Sequence, residues 1–313
     1  MKTYNFNPPT TTVDFRNPRT FGKVSSDPRT ASLGGQPLMN LTMAIFFLST
    51  TDPHLDGYAT IRWRMPILTN REEVRQLLHR DAIWAAYALG DLGADMWPKT
   101  TWHRAGDELA LVLRAYHVPI LWASGTLEGL VDEFSDAPHY SVQIRPSALP
   151  ALSRSYRTGG LKKMWRMRLK AFRLAPVEGA LRLTAADLPD LERLYADGEA
   201  DGQAPEFFFG DMVTHGVFYG CREGGQLIAV AGTHLVVPEE RVATLGNVYT
   251  RRDCRGRGLS SRVTSAVVTE LQRLEIDVIA LNVYQSNATA RGVYERLGFR
   301  QYCDFVEGII EKR

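Results

Sequence analysis

Cysteine is scarce in this chain: three residues in 313, Cys221, Cys254 and Cys303, far apart and without a Cys-x-x-Cys pair. No histidine cluster lies near them, so neither a disulfide framework nor a zinc site is indicated, no bound metal is expected, and a reducing cytoplasm is the natural compartment. Long apolar runs are also missing. The longest, Met43–Leu48, is far shorter than the ~20 residues that span a bilayer. A signal-peptide core starting at Met39 lacks a close basic segment before it and a small-x-small cleavage site after it. No membrane partner is expected. Neither sign of charge dominates: the net charge is +2, with 23% of residues charged and 44% hydrophobic, which excludes a whole-chain polyelectrolyte role and leaves any basic patch local. Nucleic-acid binding through the basic segment 161–173 is disfavoured, because interleaved aromatics are few and the net charge is small.

The length fits two domains of ordinary size with a tail. Residues 1–64 are rich in Thr, Pro, Asn, Asp and Arg and carry turn signals such as Asn7-Pro8-Pro9 and Gly34-Gly35 without sustained periodicity. They read as disordered, or as an extension ahead of a biological start at Met65. Regular patterning begins at Asn70, which caps a helix with Glu72 and Glu73 in its first turn and Val74, Leu77 and Leu78 at helical spacing. Strands follow at 108–116, 118–122 and 141–145. In the segment 161–173, Trp165, Met167, Leu169 and Ala171 alternate with Arg166, Arg168 and Lys170, which predicts a strand with one buried and one basic face. Pro176–Gly179 marks the boundary. The second part begins on a similar plan, with a strand at 181–183, a helix at 187–195, a strand opening at Val217, and a hairpin turn at Gly224-Gly225 into 227–231. Then come a strand at 242–250, a helix at 259–274, a strand at 278–283, a helix at 288–297 stopped by Gly298, and a closing strand or strands from Phe299 to Ile310. The two parts share an order of elements, not matching residues.

The segment Leu245–Val263 is the most informative. A pyrophosphate needs several backbone N–H donors aimed at one place. Gly256 and Gly258 permit close backbone approach, and the N-terminus of the following helix favours an anion. That helix is amphipathic through Leu259, Val263, Ala266, Val267, Leu271 and Leu274, and Arg251, Arg252, Arg255, Arg257 and Arg262 surround its start. The loop alone leaves two readings, an anion site or a solvated arginine turn capping an ordinary helix. Other phosphate loops are excluded. Gly258 is followed by Leu259-Ser260 with no Walker lysine, and a dinucleotide fingerprint would need a third glycine at Ser261 and an acidic residue closing the next strand.

Together with Asn287-Ala-Thr-Ala-Arg-Gly-Val-Tyr-Glu-Arg-Leu-Gly-Phe299, the arginine-glycine loop resembles the GNAT superfamily of acyl-CoA N-acyltransferases. Arg255, Gly258 and Ser260 follow its Arg/Gln-x-x-Gly-x-Gly/Ala signature, with Ser260 where glycine or alanine is usual. Gly246-Asn-Val-Tyr-Thr250 paired with Leu281-Asn-Val283 is similar to the subgroup related to glycine N-acyltransferases. The resemblance covers about the last 130 residues. It implies an α/β (mixed α+β) fold of tandem acyl-CoA N-acyltransferase-like domains, each a central mixed sheet flanked by helices: a degenerate copy at 65–176 without the glycine loop, and a catalytic domain at 177–313.

The resemblance further implies that acetyl-CoA, or another acyl-CoA, lies as co-substrate between splayed parallel strands ending at Thr250 and Val283. Val248 and Thr250 would face the pantetheine, the Val248 N–H would stabilise the oxyanion, and Arg255, Gly256, Arg257, Gly258, Leu259 and Ser260 would hold the pyrophosphate. Asn287 would reach the pantetheine arm or cap the last helix. Tyr294 stands where the family places its general acid, and by its neighbours Val293 and Leu297 it would equally pack. A phenol of pKa about 10 is roughly matched to a departing thiolate. For the base the sequence offers His234, or Glu239 and Glu240, although a histidine in an apolar strand is commonly structural and Glu239-Glu240 after Pro238 reads as an exposed turn. Cys254 reads as structural. The function implied is transfer of an acetyl or small acyl group from acyl-CoA to a primary amine by direct attack, the alternative being a non-catalytic acyl-CoA-binding or interaction module. A small-molecule amine, an amino acid and a protein N-terminus all remain open as acceptor.

Overall fold

The computed structural model describes residues 67–134, 136–199 and 202–313; the readings of residues 1–64 and of Met65 as a start lie outside them. Elements are numbered from residue 67. The first half runs β1 (Ile67–Leu68), α1 (Arg71–His79), α2 (Ala86–Gly90), β2 (Thr100–Ala105), β3 (Glu108–Leu113), β4 (Ile120–Ala123), β5 (His139–Ile144), α3 (Leu149–Ser153), β6 (Tyr156–Arg157) and β7 (Lys162–Leu169). The second runs β8 (Ala180–Arg182), α4 (Leu188–Glu199), α5 (Asp211–His215), β9 (Tyr219–Glu223), β10 (Gln226–Val237), β11 (Val242–Thr250), α6 (Leu259–Arg273), β12 (Val278–Tyr284), α7 (Ala288–Arg296) and β13 (Phe299–Lys312). Local signals act as their chemistry requires. Asn70 caps α1 by accepting from the Glu72 and Glu73 amides at 3.0 and 3.2 Å, and Val74 and Leu78 are buried beneath it.

All thirteen strands form one mixed sheet in the order β8-β9-β10-β11-β12-β7-β13-β5-β4-β3-β2-β1, with β6 paired to β13 at the side. Neighbours are antiparallel except β4 with β5 and β11 with β12. The order is nearly symmetric about the contact of β7 with β13. Strand β7 belongs by sequence to the first half, yet it lies between β12 and β13. Strand β13 belongs to the second, yet it pairs with β5. Each half therefore contributes its last strand to the other's sheet. A cut at residue 176 would strip β12 of a hydrogen-bonded neighbour.

The cores cross the same line. Trp84, Ala86 and Leu89 of the first half pack in one cluster with Val242 and Phe305 of the second. Two expectations fail at this seam. Arg166, expected on a basic outer face, is fully buried, because the first half covers that face of β7 and its guanidinium lies 5.2 Å over the Trp84 ring and 5.0 Å over the Tyr87 ring. Glu240, expected in an exposed turn, is buried as well. Its carboxylate accepts from Arg75 Nε and meets His79 Nε2, both at 2.7 Å, tying the β10–β11 turn to α1. Both errors have one cause: a strand-wise or turn-wise pattern carries no information about the half that covers it.

Candidate active site

Parallel pairing of β11 with β12 runs only from Val242–Val278 to Leu245–Leu281. Beyond that point β11 stays with β10, through Tyr249–Val230 and Thr250–Ala229, while β12 stays with β7, through Asn282–Arg166 to Tyr284–Met164. The two strands are pulled to opposite neighbours and a gap opens between them. The strand that holds the far side of the gap comes from the first half.

A bulge sits at the mouth of this gap. Val230 faces Tyr249 and Gly232 faces Gly246, so Asn247 and Val248 stand opposite Ala231 alone. Asn247 takes the left-handed conformation, φ 54°, a region asparagine tolerates better than most residues. Its carbonyl accepts from the Tyr195 hydroxyl at 3.0 Å. Bulges re-aim the backbone next to active sites, and this one turns the peptide of Val248 out of the ladder. Asn247 Oδ1, Thr250 Oγ1 and Asn282 Oδ1, all on the two bounding strands, are buried without a hydrogen-bond partner among the protein atoms. Buried polar atoms are normally satisfied, and unpartnered polar atoms on the two strands that bound the gap fit a ligand able to hydrogen-bond, such as a pantetheine arm.

The glycine loop leads from the gap into α6. Gly256 and Gly258 both have positive φ, 77° and 75°, and a Cβ at either would meet nothing within 4 Å; backbone conformation, not crowding, requires glycine there. Gly258 is the N-cap of α6, whose buried Leu259, Val263 and Val267 fix the helix against the sheet. The loop is pinned from outside by Asp197 of α4, which accepts from the Arg252 amide at 3.0 Å and the Tyr249 hydroxyl at 2.8 Å. The amide contact is the largest of the interactions that hold the Asp197 carboxyl below its usual pKa. The arginines divide. Arg251 pairs with Asp253 and Arg257 with Glu223, whereas Arg255 donates to the Thr250 carbonyl at 3.2 Å and lies 5.6 Å over the Tyr249 ring. The helix terminus, two positive-φ glycines and Arg255 form an arrangement of the kind that suits an anion.

Tyr294 of α7 is buried in the apolar cluster that also holds Leu259, Leu281 and Val283, with Val248 at its margin, and its ring stands edge-on to Phe299 at 6.1 Å. Among the described residues its hydroxyl has no hydrogen-bond partner. Burial pushes its pKa up to about 12, so the phenol stays protonated at neutral pH. Asn287 is exposed and caps α7, accepting from the Ala290 amide at 3.0 Å; of its two expected roles this is the one its geometry fills.

His234 lies on the other side of Gly246. A Cβ at residue 246 would fall 2.0 Å from His234 Nε2, so only glycine leaves room for the ring. Nδ1 is 2.7 Å from the hydroxyl of Tyr87, a residue of α2 in the first half. Burial first, and the Arg166 charge second, lower the histidine pKa to about 4, leaving a neutral imidazole at pH 7. Glu239 is exposed and Glu240 is committed to Arg75 and His79, so neither is placed as an alternative base. The sequence did not point to Tyr87, Asp197 or Glu206. Glu206 accepts from Lys162 Nζ and from the Tyr284 hydroxyl at 2.7 Å beside the gap. Only Asn247 carried a local signal, as an asparagine suited to positive φ.

Residues 184–299 match the Acetyltransferase (GNAT) family. A [Ribosomal protein bS18]-alanine N-acetyltransferase of Salmonella typhimurium is 29% identical over 119 residues, 38% of this chain and 78% of that protein; its Escherichia coli K12 counterpart is 27% identical over the same shares. Among solved structures, a GCN5-related N-acetyltransferase from Kribbella flavida matches with TM-score 0.53 at 14% identity, covering 74% of this chain and 94% of its own. One from Sphaerobacter thermophilus matches with TM-score 0.50 at 18% identity, covering 80% and 94%. These likenesses show the fold, and they extend over more of the chain than either half supplies. The C-terminal region, residues 184–299, is an acetyltransferase region of the GNAT family, an enzyme unit that moves an acyl group from acyl-CoA to an amine.

Proposed function

We propose that this chain transfers an acetyl group from acetyl-CoA to a primary amine at a single site, the gap between β11 and β12. The observation that carries this reading is the coincidence of three features at one place: the splayed parallel pair, the bulge at Asn247-Val248, and the glycine loop on the N-terminus of α6. In this reading Arg255, Gly256, Arg257, Gly258, Leu259 and Ser260 hold the pyrophosphate, and Val248 and Thr250 line the pantetheine path. Bound there, acetyl-CoA supplies an activated thioester.

The remaining chemistry falls to the chain. The amine attacks the thioester carbonyl directly, the Val248 N–H stabilises the oxygen as it gains charge, and Tyr294 donates its proton to the departing thiolate. His234 takes the proton released by the amine. With Nδ1–H donating to the Tyr87 oxygen, Nε2 keeps its lone pair toward Gly246 and the gap. The half spanning 65–176 is an acyltransferase-like copy that has lost its cofactor loop and serves 177–313 through β7, α1 and α2. The motif pair at 246–250 and 281–283 supports kinship with the glycine N-acyltransferase-related subgroup. Small-molecule amines, amino acids and a protein N-terminus, the acceptor type in the names of the Salmonella and Escherichia coli relatives, are the acceptors to test. No helix among the described residues is long and apolar enough to cross a membrane.

The test is incubation of the purified protein with acetyl-CoA and pooled amine metabolites, following free thiol release and product mass together. Thiol release matched by an amine gaining an acetyl group is the expected result. Tight acetyl-CoA binding without any acetylated product would contradict it and leave a binding module.

A further inference from the structure

Three large aromatic side chains are exposed near one another where the two halves meet: Tyr116 at 40%, Phe207 at 39% and Phe209 at 49% of their full surface. Tyr116 follows β3 in the first half; Phe207 and Phe209 lie between α4 and α5 in the second. Phe207 is the hub. Its ring centre is 4.8 Å from Phe209, 6.3 Å from Tyr116 and 5.9 Å from His234, each contact edge-to-face. His234 in turn stands 6.1 Å from the Tyr87 ring. A file of rings thus runs from solvent to the imidazole beside the gap. Exposed aromatics that touch one another, rather than scattering singly, mark a surface that meets something apolar.

Resting on the acetyl-transfer reading above, we propose that the acceptor enters through this aromatic mouth, which both halves build, and that it is a primary amine carried on an aromatic or apolar body. One feature favours a small amine over a second copy of the chain as the occupant. The mouth is continuous with His234, so a body seated on Phe207 and Tyr116 brings its amino group toward the gap. The apolar body supplies binding energy at the rim; the amine attacks as the free base, its ammonium proton left to solvent, and the imidazole takes the proton that becomes acidic once the nitrogen has bonded to the carbonyl carbon. Phe207 and Tyr116 are on this account specificity residues; they touch the acceptor's body, not the reacting atoms.

The test compares 2-phenylethylamine with ethylamine, two amines differing by one ring, at saturating acetyl-CoA. The intact protein is expected to favour 2-phenylethylamine in kcat/KM by roughly tenfold or more, the scale of burying one ring. Tyr116→Ala and Phe207→Ala should each bring that ratio toward one by raising the KM for 2-phenylethylamine, while the KM for acetyl-CoA stays put and so reports an intact fold. Phe207→Leu, which keeps an apolar side chain, should retain part of the preference and guards against misfolding of the alanine variant. A ratio near one in the intact protein, or variants that keep the full preference, would overturn the proposal. So would an apolar patch hidden in a dimer whose dissociation leaves the ratio unchanged. Failure to acetylate any amine while acetyl-CoA still binds would instead sink the acetyl-transfer reading on which the proposal rests.

Discussion

Each half of this sheet has one parallel strand pair, and the two pairs differ in what surrounds them. In the second half β11 and β12 part after Leu245–Leu281, and the chain leaves through a glycine loop into a 15-residue helix. In the first half β4 and β5 pair from Ile120–Ser141 to Trp122–Gln143, and beyond them lies a cavity of about 250 Å³ lined by Trp84, Glu108, Trp122, Ser124, Gly125 and Arg145. No long helix follows there; the connection holds only a turn at Val131–Phe134. The Glu108 carboxyl lies where a Cβ on Gly125 would be, so an acidic side chain stands just past the end of β4. On the proposed function the gap of the second half takes an anion, which the acidic side chain in the first would repel. Yet β7 of the first half is the strand that pairs with β12 along the proposed gap, which gives the first half a task that needs no cofactor.

The largest expected effect separates the chemistry from the scaffold. Tyr294→Phe should lower kcat about 100-fold, the lower end for loss of a general acid, with acetyl-CoA affinity unchanged by calorimetry. Unchanged turnover would remove Tyr294 from the mechanism and leave it a packing residue. Next comes the comparison of glycines. Gly258→Val forces a β-branched residue into positive φ, at a cost of roughly 1–2 kcal/mol, and should weaken acetyl-CoA binding about tenfold. Gly125→Val should leave that affinity alone and lower the melting temperature, since the added atoms must displace Glu108, an overpacking cost of about 1 kcal/mol. Equal effects on cofactor affinity would erase the distinction between the gaps.

The smallest effect concerns the seam. Burial works against the charge of Glu240, but hydrogen bonds from His79 and Arg75 outweigh it, and the net result is a carboxyl held below its ordinary pKa. Its stabilising contribution is therefore complete above the ordinary glutamate range and is lost as pH falls through the lowered folded value. Glu240→Gln should reduce stability at pH 7 by about 1–2 kcal/mol and flatten the acid limb of a denaturation-midpoint profile. An acid limb identical to that of the unaltered protein would show that the latch contributes nothing.

Much of the working gap was legible in the sequence because its signals are local. Two glycines before an amphipathic run, the strand 242–250 and the cap at Asn287 all depend on residues within a few positions of one another. The helices α1, α4, α6 and α7 and most of the longer strands were legible for the same reason, whereas β2, α2, α3 and α5 were not read. The exchange of β7 and β13 was not, because strand partners are chosen by contacts more than a hundred residues apart, and an alternating strand reads alike in either sheet. Arg166 and Glu240 were misjudged on that account, and Tyr87 was not noticed at all. The role of His234 depends on Tyr87, so the base could be named from sequence but not situated.

The claim that most needs testing is that the chain holds one acyl-CoA site, in the second half. Titration calorimetry of the full chain with acetyl-CoA measures this directly. One molecule bound per chain, with the affinity lowered by Gly258→Val and untouched by Gly125→Val, is the predicted result; two per chain, or binding that ignores Gly258, would contradict it.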